Sequence, residues 1–283
     1  MRISVAFLIL TGLLLGADGD LEQARVLYSR TDYNGAISLL NKAPSNPQTL
    51  ELLGQSYFML TDFKRATETL ERAAAADPSD SMIHTWMGRA YGRRAETSFA
   101  FGALSFATKS REEFEKAVQL DPANPEAVND LFDFYIEAPA MVGGGHDKAR
   151  KLLSTLATCD PEAVYFAEAR LAEDRKQFDL AESHLRQAVR AVPNKVGQVL
   201  NLARFLARRE RYDESDRVFL QARQMAPDSP RVLFARAETC IKTRRHTDEA
   251  RELLKKYLAA KNLTPDDPPR SEALKLLKKV EGV

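Results

Sequence analysis

The residue types that do covalent or metal chemistry are sparse in this sequence, and their spacing limits what they can do. His84, His146, His184 and His246 contain no H-E-x-x-H arrangement, and Cys159 and Cys240 form no Cys-x-x-Cys pair. Neither a zinc site nor a metalloprotease therefore has its ligands, and the four histidines are expected at the surface. A Cys159 nucleophile needs a histidine beside it as base, and no G-x-S-x-G elbow offers a serine instead. Gly143-Gly144-Gly145 has the composition of a phosphate loop but lacks the G-K-[ST] ending. It is expected to be a turn in which glycine permits backbone angles that other residues resist. No catalytic residue, cofactor or metal is expected.

Binding residues remain, and a repeat positions them. Seven times a small residue is followed, near 12 residues later, by Ala or Ser, and five of these are followed after 12 more by Pro. The clearest copy runs Leu50, Leu53, Gly54, Tyr57, Ala66, Leu70, Ala73, Pro78. Others keep the frame, as in Ala169, Ala181, Leu185, Ala188, Pro193 and in Leu202, Ala203, Leu206, Ser215, Phe219, Ala222, Pro227. Small residues let two helices approach to about 8–10 Å, the larger ones fill the space between them, and each proline stops the second helix. Asn46-Pro47, Asn124-Pro125, Asp160-Pro161, Ser229-Pro230 and Asp267-Pro268 each place a capping side chain before a proline, marking helix starts.

A period near 34 with these residues resembles the tetratricopeptide repeat, over residues 20–265. The expected fold is all-α, a right-handed α-solenoid of about seven helical hairpins followed by a capping helix in 266–283. Two repeats are enlarged. Gly88 to Ser110 spans 22 residues and Phe132 to Ala149 spans 17, placing the extra length at 96–106 and 138–146, between first and second helices. Insertions on one face of a solenoid commonly mark a binding face. Phe99, Phe101 and Phe106 lie in the first of them, expected to pack in an extended hairpin that turns at Gly102. The lysines of the last helix, Lys275, Lys278 and Lys279, suit a polar cap.

Composition limits the partners. With 44% hydrophobic and 29% charged residues, the 283-residue chain can bury a continuous core. A net charge of +1 shows no global bias and argues against a general nucleic-acid binder. Residues 1–19 read as an export signal: Met1-Arg2, an apolar run from Ile3 to Gly16, then Ala17-Asp18-Gly19. The alternative is a retained anchor, although 14 helical residues span only about 21 Å. Cys159 and Cys240 are expected as free thiols, being about four helices apart.

In tetratricopeptide proteins the first helices line a concave groove that holds peptides or helices. The resemblance therefore implies groove positions at Glu51, Gln55, Phe58 and Met59, at Thr85, Arg89 and Arg93, and at Asn129, Asp133 and Ile136. It implies Phe166, Arg170 and Glu173 next, then Leu200, Arg204 and Arg208, then Phe234, Glu238 and Ile241. The Lys, Asn and Arg set with which some such proteins grip a peptide carboxylate is missing, since the matching sites carry Leu21, Arg25, Glu51 and Gln55. Seven hairpins, a leader and a cap leave no room for a separate catalytic domain. The expectation is a non-enzymatic scaffold, exported to the periplasm, binding a protein or peptide partner. The alternative is a membrane-associated assembly factor whose leader is retained and whose Phe99–Phe106 segment meets lipid, a contact not favoured.

Overall fold

The computed structural model describes residues 19–282, apart from the Ala100 side chain. The expected leader lies outside the described residues except for Gly19. Fifteen α-helices and no strand occur among the described residues, in agreement with the expected all-α class. Helix α1 covers 19–29, followed by α2 (Tyr33–Leu40), α3 (Pro47–Met59), α4 (Phe63–Ala76), α5 (Ser81–Thr97), α6 (Ala100–Leu120) and α7 (Pro125–Glu137). Then come α8 (His146–Cys159), α9 (Pro161–Asp174), α10 (Phe178–Ala191), α11 (Val196–Arg208), α12 (Tyr212–Met225), α13 (Pro230–Thr243), α14 (Thr247–Ala259) and α15 (Arg270–Glu281).

The chain divides into two compact units, 1–145 and 146–283, and the enlarged fourth repeat falls across the division, with α7 in the first and α8 in the second. Their charges are opposite. Residues 1–145 carry 13 Lys and Arg against 19 Asp and Glu, a net −6, whereas residues 146–283 carry 28 against 21, a net +7. The near-neutral total conceals this polarity, so the expected absence of charge bias holds only for the sum.

Within each unit, consecutive helices pack as hairpins through the small residues of the repeat. Ala66, Leu70 and Ala73 of α4 are fully buried, and a Cβ added to Gly54 of α3 would lie 2.5 Å from Leu70 Cγ. That distance is too short for any side chain, so glycine sets how closely α3 and α4 approach. Two equivalent positions add a hydrogen bond at the crossing: Ser110 Oγ donates to the Gly88 carbonyl, and Ser215 Oγ to the Ala203 carbonyl, both at 2.8 Å.

The turn between first and second helices is the same in five repeats. Thr31, Thr61, Lys176, Glu210 and Arg244 all have left-handed φ of 55–62°. The amide after each donates back five residues, as in Asp62 N–H to the Tyr57 carbonyl and Gln177 N–H to the Ala172 carbonyl, both 2.9 Å. This is a Schellman closure, in which a left-handed residue lets the last carbonyls of a helix find donors. Repeat three lacks it, and in repeat four the pattern closes the short 3-10 turn Ala140–Val142 rather than α7, with Gly143 left-handed and Gly144 N–H donating to the Pro139 carbonyl at 3.2 Å. In repeat three α5 runs to Thr97 and α6 begins at Ala100, so the turn is at Ser98-Phe99 rather than at Gly102.

Asn46, Asn124 and Asp160 accept from amides of the following turn, as expected of caps. Asp267 does not. Its carboxylate accepts from Thr264 N–H and Oγ1–H, and α15 starts at Arg270, two residues later than the proline pattern implies. Ala273, Leu276, Leu277 and Val280 of α15 cover the cluster that holds Tyr257 and Leu263 at the end of the second unit.

Candidate functional site

Successive first helices stand beside one another within each unit, and side chains from one reach the next. In the first unit, Phe58 of α3 meets Phe63 and Trp86 edge-on, each with ring centroids 5.4 Å apart. Arg89 of α5 lies 4.6 Å above the Trp86 ring, while its Nε donates to Asp130 at 2.5 Å and its Nη2 to Glu126 at 2.9 Å, both on α7. Burial works against the Arg89 charge, but these two carboxylates outweigh it and raise the pKa above the usual arginine value. Arg93 pairs with Glu96 at 2.6 Å and lies over Phe63. Gln55 donates to Glu51 at 2.8 Å. Burial, with a further push from Asp80, moves the Glu51 carboxyl up to about 7.

In the second unit Arg170 lies over Phe166, and Arg208 of α11 makes a two-pronged contact with Glu173 of α9 at 2.8 and 2.9 Å. Arg204 of α11 reaches Glu238 of α13 by a single Nη2 contact at 3.4 Å. The structure thus gathers Phe58, Arg89 and Arg93 around two aromatic rings, and Arg204 with Arg208 at one cleft. Asp133 is half-buried on α7.

Several expected groove residues belong to the core instead. Met59, Leu200, Phe234, Ile241 and Thr85 are all buried. An α-helix turns 100° per residue, so a register projection one position off moves a side chain from the exposed stripe to the packed one. Missed were Trp86, Glu126 and Asp130. A signal for the charged partners was present: opposite charges recur one repeat apart, at Arg89 and Glu126, Arg204 and Glu238, Glu173 and Arg208.

The residues with chemical potential are otherwise occupied. His84 is not at the surface but 2% exposed, between Glu113 at 2.5 Å and the Pro78 carbonyl at 3.2 Å. Both cysteines are free thiols, as expected. Burial pushes the Cys240 thiol up to about 11, so it is protonated at neutral pH. The amides of Gly143, Gly144 and Gly145 donate to the carbonyls of Ala140, Pro139 and Tyr135, at 2.9, 3.2 and 2.8 Å. Backbone donors committed in this way cannot cradle a phosphate, and a Cβ on Gly144 would lie 1.8 Å from the Ala138 carbonyl oxygen. Among the described residues no cluster of potential metal ligands occurs, and no helix is long and apolar enough to cross a membrane.

The enlarged third repeat departs from expectation. Both helices are extended, and Phe106 packs against Tyr91 with Arg94 4.0 Å above it. Phe99 and Phe101, however, are 96% and 92% exposed where the hairpin turns.

The family model described as tetratricopeptide repeat matches residues 21–81 and 200–268. The chain is similar in structure to a tetratricopeptide repeat protein from Parabacteroides merdae, with a TM-score of 0.62 at 13% identity over 94% of this chain and 98% of that one. It is also similar to TTC0263, a thermophilic tetratricopeptide repeat protein of Thermus thermophilus, at 0.54 and 20% identity over 70% and 98%. A chain of the Cut9–Hcn1 hetero-tetramer of the APC/C gives 0.52 at 16% identity, over 91% of this chain and 48% of that one. No curated protein matches significantly.

Proposed function

We propose that the chain, whose fold is shared with tetratricopeptide repeat structures and whose residues 21–81 and 200–268 match that family's model, is a tetratricopeptide repeat protein and a non-enzymatic scaffold that binds a protein or peptide partner along its first helices, after export to the cell envelope. The family's general use as a protein-interaction scaffold supports the coarser part of this reading. The observation that carries the finer part is the row of half-buried polar and aromatic side chains on successive first helices: Gln55, Phe58, Trp86, Arg89 and Asp133 in the first unit, Arg170 and Arg204 in the second. Such a row offers hydrogen bonds and ring faces at fixed intervals, which suits an extended or helical segment.

Photo-crosslinking in cells tests it. A crosslinking residue at Gln55, Arg93 or Arg170 is expected to capture the same partner, and one at Glu68 or Arg190 on the second helices none. Capture only from second helices would reject the first-helix face. The export reading is checked by N-terminal sequencing of the mature protein, expected to begin near Asp20.

A second reading is favoured by the exposed Phe99 and Phe101. In it the leader is retained and the chain is a membrane-associated assembly factor whose third-repeat turn meets lipid. A mature protein beginning at Met1 and sedimenting with membranes would select this reading.

A further inference from the structure

Arg89 and Arg204 occupy the same position of the repeat, each immediately after the small residue of its first helix, Gly88 or Ala203. Their surroundings differ in one respect. Arg89 receives two carboxylates from the next first helix, at 2.5 and 2.9 Å. Counted back from the small position of that next repeat, Phe132, these are Asp130 and Glu126; the same steps from Ala237 give Ala235 and Arg231. In the second unit one expected carboxylate is therefore a methyl group and the other a second guanidinium.

Arg204 compensates poorly. Glu238 reaches only Nη2, at 3.4 Å, and is shared with Lys242 at 2.7 Å. Arg204 Nε is buried without a hydrogen-bond partner, a condition that costs free energy in a folded protein. Burial lowers the Arg204 pKa, Glu238 only partly offsets it, and Arg208 and Arg231 add repulsion. Beside this guanidinium is a cleft of about 330 Å³ lined by residues of α11, of α13 and of the turns that follow them, among them Arg204, Arg208, Lys242 and Arg244 against Glu210 and Glu238. Arg208 is already held by Glu173, which leaves Arg204, Lys242 and the exposed Arg244 with too little negative charge between them.

We propose that the cleft between α11 and α13 binds a carboxylate of an acidic protein segment, held by Arg204 and Lys242 where the equivalent arginine of the first unit is held by its own chain. This inference rests on the scaffold reading and assigns one of its contacts. The cleft is large enough for an acidic side chain with part of its backbone, and the +7 charge of the unit draws an acidic segment toward it. A carboxylate can come from a side chain or from a chain terminus.

Fluorescence anisotropy of labelled hexaglutamate on the full chain, at 50 mM and 200 mM salt, tests the proposal. Wild type is expected to bind. Arg204→Gln weakens binding at least tenfold, Glu238→Gln tightens it severalfold by removing the internal competitor, and Arg190→Gln, outside the cleft, changes it less than twofold. Hexaglutamine does not bind. Amidating the hexaglutamate terminus separates the sources: unchanged affinity assigns side-chain carboxylates, and loss of binding assigns the terminus. The proposal is overturned if Arg204→Gln binds like wild type, if Arg190→Gln loses as much, or if Glu238→Gln weakens binding. It is replaced by a nucleic-acid site if a 12-nucleotide single strand binds more tightly with the same dependence on Arg204. Should the cleft fail while partners are still captured from first-helix positions in cells, the scaffold reading stands without it.

Discussion

Two arginines in the same repeat position are predicted to respond oppositely to removal of their charge. Arg89→Met leaves Asp130 and Glu126 without their cation and is expected to cost about 2–4 kcal/mol in urea unfolding. Arg204→Met removes a charge that its surroundings compensate poorly and is expected to leave stability unchanged or raise it. Glu51 gives a pH dependence. Its folded pKa, about 7, lies above the unfolded value of 4.5, so the folded state keeps a proton that the unfolded state has lost. Stability from this group is therefore fully present below pH 4.5 and declines as pH rises through about 7. Glu51→Gln is expected to be neutral at pH 4 and stabilising at pH 8 by on the order of 1 kcal/mol, read as a shift in thermal midpoint. The arginines of this surface were legible from their spacing after the small residues. Their partners were not, because a register that aligns first helices says nothing of which neighbour a long side chain reaches, and Met59 shows that a one-residue slip puts a core side chain on the surface.

At the scale of the helix pair, the left-handed residues of the five Schellman turns are not glycine. Lys176 has φ of 60°, a conformation that glycine adopts without steric cost. Lys176→Gly is expected to raise stability by about 0.5–1 kcal/mol, checked by chemical unfolding. Gly102 is the converse. It lies within α6, where an added Cβ would meet Ser98 Cβ at 3.4 Å, an ordinary contact. Gly102→Ala is expected to stabilise by up to about 1 kcal/mol through helix propensity, whereas a Gly102 at the hairpin turn would give no such gain. Helix order and the starts at Pro47, Pro125 and Pro161 are readable because an Asn or Asp acceptor precedes a residue suited to the first helical position, whereas α13 starts at Pro230 without a side-chain bond from Ser229. The start of α15 was misread because Asp267 uses its carboxylate to close the loop before it. The turn of repeat three is not legible because the chain turns at Ser98-Phe99, where no glycine marks it, while Gly102 lies inside α6.

At the scale of the molecule, the 283-residue chain has a single tryptophan, Trp86, and it lies in the first unit. Leu254 is fully buried in a separate cluster of the second unit. Leu254→Ala is expected to cost about 2–5 kcal/mol. Because stacked repeats transmit stability mainly to their neighbours, it is expected to lower the midpoint of helical circular dichroism while leaving that of Trp86 fluorescence in place. Equal shifts of both signals would show that the units unfold together. The division between them is not legible in the sequence, where the enlarged fourth repeat reads as the mark of a binding face in one continuous solenoid and a total of +1 hides the opposite charges on its two sides. The segment at that position is not slack chain. The amides of Gly143, Gly144 and Gly145 are bound back to carbonyls at 135–140, and a hydrogen-bonded amide exchanges with solvent deuterium only when its bond opens. A glycine-rich stretch that a sequence search would score as flexible is therefore expected to exchange slowly, keeping protons up to the last residue of the first unit.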